Sequence, residues 1–219
     1  MITYQGTAVP VLSVEPNWRG KISVTEEWAT LIREAINTSE ERISKRGRPR
    51  FGINFDTNQM TADETAYLRS VIESAGERPF AVPFWNSALR LSADATSGNA
   101  WVDTETTVGS MFELLPYAML WSDYRTFTTH RVFSVGGTQV VLADPLTQSF
   151  LENEWIVPMA VGKLALPDMG ALTDIHGTFK VRFEEMFLTD APMVCTAITG
   201  TDVEATYFME SECVGGSLL

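Results

Sequence analysis

Cysteine and histidine are scarce, with two of each in 219 residues. Cys195 and Cys213 are too few for a disulfide framework, and their spacing fits no common zinc pattern, so we expect two free thiols. His130 and His176 are not spaced as a ligand pair, and no G-x-S-x-G elbow occurs. This disfavours a zinc site and a Ser-His-Asp triad, and we expect both histidines on the surface or in turns.

Motifs for other chemistry are absent as well. Neither G-x-G-x-x-G nor G-x-x-x-x-G-K-[ST] occurs, so the sequence predicts no phosphate-cradling loop. A calcium-like loop begins at Asp56, but its glycine and glutamate positions hold Thr61 and Tyr67. Three adjacent glutamate pairs suit a solvated face better than the two opposed carboxylates of a glycosidase. We therefore expect no enzyme, no cofactor and no metal.

Long hydrophobic runs and positive charge are also lacking. No stretch approaches 18 consecutive apolar residues, which predicts no transmembrane helix, and the first residues lack the basic and apolar regions of a signal peptide. The net charge of −12 repels phosphate, so we do not expect nucleic acid as a partner. The sequence predicts a soluble protein that is made in the cytoplasm and has no membrane partner.

The composition that remains is that of a globular protein, with 45% hydrophobic residues. A chain of this length folds as one large domain or two small ones. Serine, threonine and glycine near residues 92–97 indicate a weak boundary. We expect an α+β region over 1–95 and a β-rich region over 96–219, with one continuous domain as the alternative.

The first half has mixed patterning. Thr61 is a good N-cap for a helix over 61–75. Alternating Phe51, Ile53 and Phe55 predict a half-buried strand over 47–57. The apolar residues of 25–46 recur at helical spacing, which favours a second helix, with a long strand as the alternative.

The second half reads as nearly all β. We expect a short strand at 101–103, a hairpin over 129–142 that turns at Gly136-Gly137, a strand pair over 153–166 and a strand over 178–188. The fold class predicted is β-rich α+β, with one or two helices in the N-terminal half and a small β-barrel or sandwich in the C-terminal half. Its core should include Val132, Val140, Leu142, Phe179, Val181 and Phe183.

A basic cluster stands out against the acidic composition. Five of the 16 basic residues lie within nine positions: Arg42, Lys45, Arg46, Arg48 and Arg50. Such concentration indicates a partner of opposite charge, either DNA or an acidic protein surface. The acidic chain itself favours a protein surface, including that of a second copy. A solvated loop is the alternative.

Six tryptophans raise a separate hypothesis, because exposed indole rings stack on sugars. Packing in a core or an interface is the alternative, since tryptophan is enriched there too. The six are Trp18, Trp28, Trp85, Trp101, Trp121 and Trp155.

Several short segments resemble a known family. The succession Trp28-Ala29-Thr30, Glu41-Arg42, Arg48-Pro49-Arg50, a helix and Pro83-Phe84-Trp85 is similar to the N-terminal half of minor virion proteins of tailed bacteriophages. A small β-barrel from about Met119 onward fits that family. The resemblance implies a structural protein of the virion that assembles with itself and with other virion proteins in the tail tip, baseplate or tail junction. Two alternatives stay open: a carbohydrate- or receptor-binding module and an enzyme of unrecognised class, such as a hydrolase.

Overall fold

The computed structural model describes most of the chain: residues 2–4, 7–28, 30–34, 40–44, 48–58, 60–75, 78–165 and 179–186. Residues 1–188 form one compact unit, and 189–219, a second unit, fall outside the described residues. Cys195, Cys213 and His176 also lie outside them. The described chain is rich in β structure, as predicted. The expected division at residue 95 stays a prediction, although strands from both sides of it join one sheet.

Fourteen strands, two α-helices and one 3₁₀ turn are present in the described residues. The helical elements are α1 (Ala62–Ala75), the 3₁₀ turn (Trp85–Ser87) and α2 (Met111–Leu114). The strands are β1 (Thr3–Tyr4), β2 (Thr7–Ala8), β3 (Ser23–Glu27), β4 (Thr30–Glu34), β5 (Glu40–Ser44), β6 (Arg50–Asp56), β7 (Phe80–Pro83), β8 (Leu89–Arg90), β9 (Trp101–Asp103), β10 (Tyr117–Trp121), β11 (Phe127–Gly136), β12 (Gln139–Leu142), β13 (Trp155–Leu164) and β14 (Lys180–Glu185).

Ten of these strands form one antiparallel sheet. Its pairing order is open and runs β3-β6-β14-β13-β10-β11-β12-β9, and β7 and β8 also pair with β13. The strand pair expected over 153–166 is wrong, because this segment is the single long strand β13. The run Ile156–Gly162 is buried throughout, so the strand shows no alternation and no turn that would divide it.

Two apolar clusters lie on opposite sides of the central strands. On β10, Met119 packs into a larger cluster with α1, β6, β7 and β14, whereas Ala118 and Leu120 pack into a smaller one with β9 and β12. Alternate residues of a strand point to opposite faces, so β10 is buried on both. The predicted core residues Val140, Leu142, Phe179, Val181 and Phe183 are buried, and Val132 is partly buried against the smaller cluster.

Helix α1 confirms the prediction for 61–75. Thr61 Oγ1 accepts the backbone N–H of Glu64 at 3.3 Å, and Glu64 Oε2 accepts that of Thr61 at 2.7 Å. This reciprocal capping box satisfies two N–H groups that a helix start leaves open. The helix buries Leu68, Ile72 and Ala75 in the larger cluster.

The helix expected within 25–46 is wrong, because the described part of this segment forms β3, β4 and β5. β3 pairs with β6, and β4 pairs with β5. Cross-strand pairing outweighs the helical spacing of the apolar residues here. We call the two-stranded sheet of Thr30–Glu34 and Glu40–Ser44 the arm, since it is separate from the ten-stranded sheet.

The hairpin over 129–142 is confirmed, but its turn is displaced by one residue. Gly136 is the last residue of β11 and pairs with Gln139, so the loop residues are Gly137 and Thr138. Gly137 has a φ of 59°, which favours glycine at the first loop position, as in a type II′ turn. The strand Trp101–Asp103 and the strand within 178–188 are also present.

Candidate functional site

The predicted basic cluster lies on the arm and at its junction with the sheet. Arg42 belongs to β5, and Arg50 begins β6. Lys45 and Arg46 lie outside the described residues. The described members of the cluster thus lie on β5 and around the start of β6, and their role in an interface stays a prediction.

Arg48 binds a carboxylate of its own chain at this junction. Its Nη2 and Nη1 donate to Glu185 Oε1 at 2.7 Å and Oε2 at 3.1 Å, and the backbone N–H of Phe51 also donates to Oε2 at 3.1 Å. Glu185 is 2% exposed, and the Arg48 side chain is 27% exposed. A bidentate pair of this kind fixes geometry as well as charge. It joins the start of β6 to the end of β14.

A second basic feature was not predicted. The outer face of β3, β6, β14 and β13 forms a cleft of about 790 Å³, which we call the basic cleft. Four cations line it, and they form no ion pair with any described residue: Lys21, Lys163, Lys180 and Arg182. Two carboxylates, Asp56 and Glu184, lie among them. The cleft therefore carries a positive surplus in a chain whose net charge is −12.

Only part of this cleft was visible in the sequence. The alternation of β14 predicts that Lys180 and Arg182 face away from the core, as they do. Lys21 and Lys163 come from distant segments, and the pairing of β6 with β3 and β14, and of β14 with β13, brings them to the same face. No local sequence pattern predicts the pairing of these distant strands.

Four of the six tryptophans pack together. Trp85 is 1% exposed and makes edge contacts with Trp18 and Trp121, with ring centroids 6.2 and 5.3 Å apart. Trp18 stacks on Trp155 at 6.0 Å. Trp121 Nε1 donates to the carbonyl oxygen of Ser13 at 2.9 Å. This tryptophan cluster packs at the edge of the larger apolar cluster.

The other two tryptophans are exposed, Trp28 by 56% and Trp101 by 47%. Trp28 follows β3, and Trp101 begins β9. These two rings are available for stacking on a ligand. The tryptophans thus divide between packing and surface positions.

His130 is buried on β11, so the expectation of a surface or turn histidine is wrong for this residue. Its Nε2 lies 3.1 Å from Thr128 Oγ1. Burial lowers the pKa of His130, and the nearby Asp144 opposes the shift through its charge and its backbone. The lowered pKa favours the neutral imidazole, so His130 is a buried polar side chain of the sheet.

Within the described ranges, no group of three or more His, Cys, Asp or Glu side chains is arranged to hold a metal ion. The helices described are all too short or too polar to cross a membrane. No protein-family model matches the chain, and a search of curated proteins finds no similar sequence. The surfaces themselves are therefore the basis for a functional proposal.

Proposed function

We propose that this chain is a structural component of a bacteriophage tail that acts by assembly with itself and with neighbouring virion proteins. The arm carries the proposal. Its strands β4 and β5 pair with each other in a sheet of their own. An isolated two-stranded hairpin is at best marginally stable in water, so a neighbouring subunit that packs on the arm would stabilise it.

The charge of the arm and its junction supports a protein partner. Arg42 lies on β5, and Lys45 and Arg46 follow it in the sequence. The chain as a whole holds 28 acidic residues, so a second copy offers acidic surface for these cations. Complementary charge of this kind guides association and sets its register.

We also propose that the second half is a small β-barrel. The antiparallel bridge between Leu91 and Thr104 supports it, together with two backbone hydrogen bonds of 3.0 Å, Glu105 N–H to Arg90 O and Ser92 N–H to Asp103 O. These contacts link the end of β8 to β9, while β8 also pairs with β13. Closure would protect the β9 edge and leave β3, next to the arm, as the edge open to a neighbour.

Charge reversal on the arm tests the proposal. The Arg42→Glu/Arg46→Glu variant should stay a 24.3 kDa monomer, or fail to join its virion partners, under conditions in which the wild type assembles. The Arg19→Glu/Arg131→Glu variant makes the same charge change at exposed residues outside the arm and should assemble normally. Arg48 is left intact because it holds Glu185 within the chain.

Mass measurement by light scattering, over a range of concentrations and with the other tail proteins added, gives the readout. Circular dichroism verifies that both variants remain folded. Normal assembly of the arm variant, or a wild-type chain that is monomeric under every condition and joins no partner, contradicts the proposal.

A carbohydrate- or receptor-binding module is the second candidate, favoured by the exposure of Trp28 and Trp101. In that case, glycans change the tryptophan fluorescence of the wild type. Trp28→Ala and Trp101→Ala reduce that change, whereas Arg42→Glu/Arg46→Glu does not. The two candidates are thus separated by which substitutions remove binding.

A further inference from the structure

We propose that strand β3 of one copy pairs with β3 of a second copy, so that two sheets join edge to edge. This rests on the proposed assembly function and names one contact through which two copies associate. Among the described strands, β3 pairs with β6 alone and lies at the end of the pairing order. An edge strand of this kind presents backbone N–H and C=O groups to which a partner strand can bind.

The edge formed by β3 is regular. Its register with β6 runs without a shift from Ser23 to Glu27, and the segment from Lys21 to Glu27 contains no proline and no glycine. Proteins often block an exposed edge with a proline, a bulge or a very short strand. The edge at β9 has only three residues, and a bridge between Leu91 and Thr104 follows it. Of these two edges, β3 is therefore the one that can accept a strand.

The charges along this edge are complementary to those of a second copy. The segment begins with Lys21 and ends with Glu26 and Glu27, and all three side chains are exposed. In an antiparallel pair centred on Val24, Lys21 lies opposite Glu27 of the second copy, and two-fold symmetry repeats this ion pair. Opposite charges at opposed positions stabilise a strand pair, whereas like charges destabilise it. A second copy supplies both complementary charges by symmetry, so we infer a second copy as the partner.

The same register also matches the two faces of the strand. Ser23 and Thr25, which line the basic cleft, lie opposite each other on the outer face. Val24 lies opposite its own copy on the inner face, where it packs with Ile22 against the larger apolar cluster. A shift by one residue would place this apolar row opposite the charged row. A shift that centres the pair on Glu26 would oppose two glutamates, so both shifts are disfavoured.

Trp28 gains a contact in this register. Its indole directly follows β3 and is 56% exposed. Continuation of the pairing by one position places Trp28 opposite Gly20 of the second copy. A glycine at a strand edge leaves room for an aromatic ring from the neighbouring strand, which then shields the backbone. The pairing therefore covers an apolar ring that a single copy leaves in solvent.

The contact is isologous, so it closes as a dimer. Opposed residues of an antiparallel pair point to the same face of the sheet. Because Lys21, Ser23 and Thr25 line the basic cleft, the clefts of the two copies lie on the same side of the joined sheet. The dimer thus presents both basic clefts on one face and both larger apolar clusters on the other.

A cysteine at the centre of the pairing tests the register. In a Cys195→Ser/Cys213→Ser background, Val24→Cys places two thiols on opposed residues, whose Cα atoms are about 4.5–5.5 Å apart. This separation suits a disulfide, so mild oxidation should link most of the protein as a dimer. Glu26→Cys is the matched control, because residue 26 lies opposite Ile22 and its two copies are about 13 Å apart. Equal cross-linking at the two positions overturns the inference.

A charge swap tests the ion pairs in the full chain. Lys21→Glu and Glu27→Lys each place like charges opposite each other twice in the dimer, and each should weaken association by at least about fivefold. The Lys21→Glu/Glu27→Lys variant should recover most of the wild-type affinity. Arg131→Glu and Glu152→Lys make the same changes in net charge at exposed residues elsewhere and should leave association unchanged.

Sedimentation equilibrium measures the association, and circular dichroism shows whether each variant is folded. The inference fails if the wild type does not self-associate, if either single reversal associates like the wild type, or if the swapped variant stays as weak as the single ones. Arg42→Glu/Arg46→Glu separates the two proposals. If it blocks assembly while both reversals on β3 leave assembly intact, this inference fails and the proposed function stands. If it assembles normally while the β3 variants behave as expected, the β3 contact stands and the proposed role of the arm fails.

Discussion

The arm and the ten-stranded sheet are both antiparallel β structure, yet their strands differ in how many neighbours they pair with. In the sheet, β6 lies between β3 and β14, and Phe51, Ile53 and Phe55 are at most 2% exposed. In the arm, β4 and β5 pair only with each other among the described strands. Burial of apolar side chains stabilises the sheet, whereas an isolated strand pair is at best marginally stable in water.

Gly162, which lies against the backbone of β14, gives the largest expected effect. A Cβ atom at Gly162 would meet the carbonyl oxygen of Glu184 and lie 2.7 Å from the Cα of Glu185. Gly162→Ala must separate β13 from β14, so we expect a loss above about 4 kcal/mol or failure to fold. Gly136→Ala, with nothing within 4 Å, should change stability by less than about 1 kcal/mol. Equal urea midpoints for the two variants would contradict the tight pairing.

Phe183 tests burial in the sheet. It is 2% exposed on β14, and Phe183→Ala should cost about 3–5 kcal/mol. Phe133 is 76% exposed, so the same truncation there should cost less than about 1 kcal/mol. Denaturant unfolding of both variants provides the comparison, and a loss below about 1 kcal/mol for Phe183→Ala would show that this face is not a core.

Glu185 tests the ion pair that joins the start of β6 to the end of β14. Glu185→Ala removes the buried carboxylate to which the guanidinium of Arg48 and the N–H of Phe51 donate. Because Arg48 is partly exposed, water offsets some of the loss, and we expect about 2–3 kcal/mol. Glu184→Ala, at an exposed neighbour, should cost under about 0.5 kcal/mol. Similar chemical-denaturation curves for the two alanine variants would remove the structural role of the ion pair.

A fall in pH should lower the free energy of unfolding, because His130 is buried in the sheet. Burial holds the pKa of His130 below its usual 6.5, so the unfolded chain takes up the proton first as the pH falls. Stability is then lost below about pH 6.5, down to the folded-state pKa. His130→Gln should flatten this part of the stability–pH curve measured by thermal unfolding. An unchanged slope would mean that the imidazole is protonated as readily in the sheet as in the unfolded chain.

Removal of the arm should have the smallest effect. If residues 30–44 are replaced by a short Gly-Ser loop, the unfolding free energy of the monomer should change by less than about 1 kcal/mol, because β4 and β5 form a separate sheet. Assembly, in contrast, should be lost. Circular dichroism in urea and a sizing column measure the two quantities, and an unfolded monomer would show that the arm packs on the sheet.

The elements that could be predicted from the sequence are those that bury one face and expose the other. Helix α1 has a cap and an apolar stripe, and Phe179, Val181 and Phe183 alternate with charged residues. Strand β13 was misread because it is buried on both faces along most of its length. The arm was misread because the spacing of its few apolar residues matches a helix, and only pairing with a partner strand decides otherwise.

The surfaces were harder to predict than the fold. The basic cluster was visible as a run of charge, but the partner of Arg48 lies 137 residues away. Glu185 was read only as one of two adjacent glutamates. Its place two residues after Phe183, on the inward-facing side of β14, was the signal that this carboxylate is buried.

The pairing of β13 with earlier strands also constrains when the sheet can form during synthesis. β7, β8 and β10 precede it in the chain, and all three pair with it. A ribosome adds about 5–20 residues per second, so these strands wait several seconds for their partner. During that interval Phe80, Val82 and Leu120, which are fully covered in the finished protein, have no strand β13 beside them. Until Trp155–Leu164 emerges, the nascent chain thus presents apolar surface that can aggregate or bind chaperones.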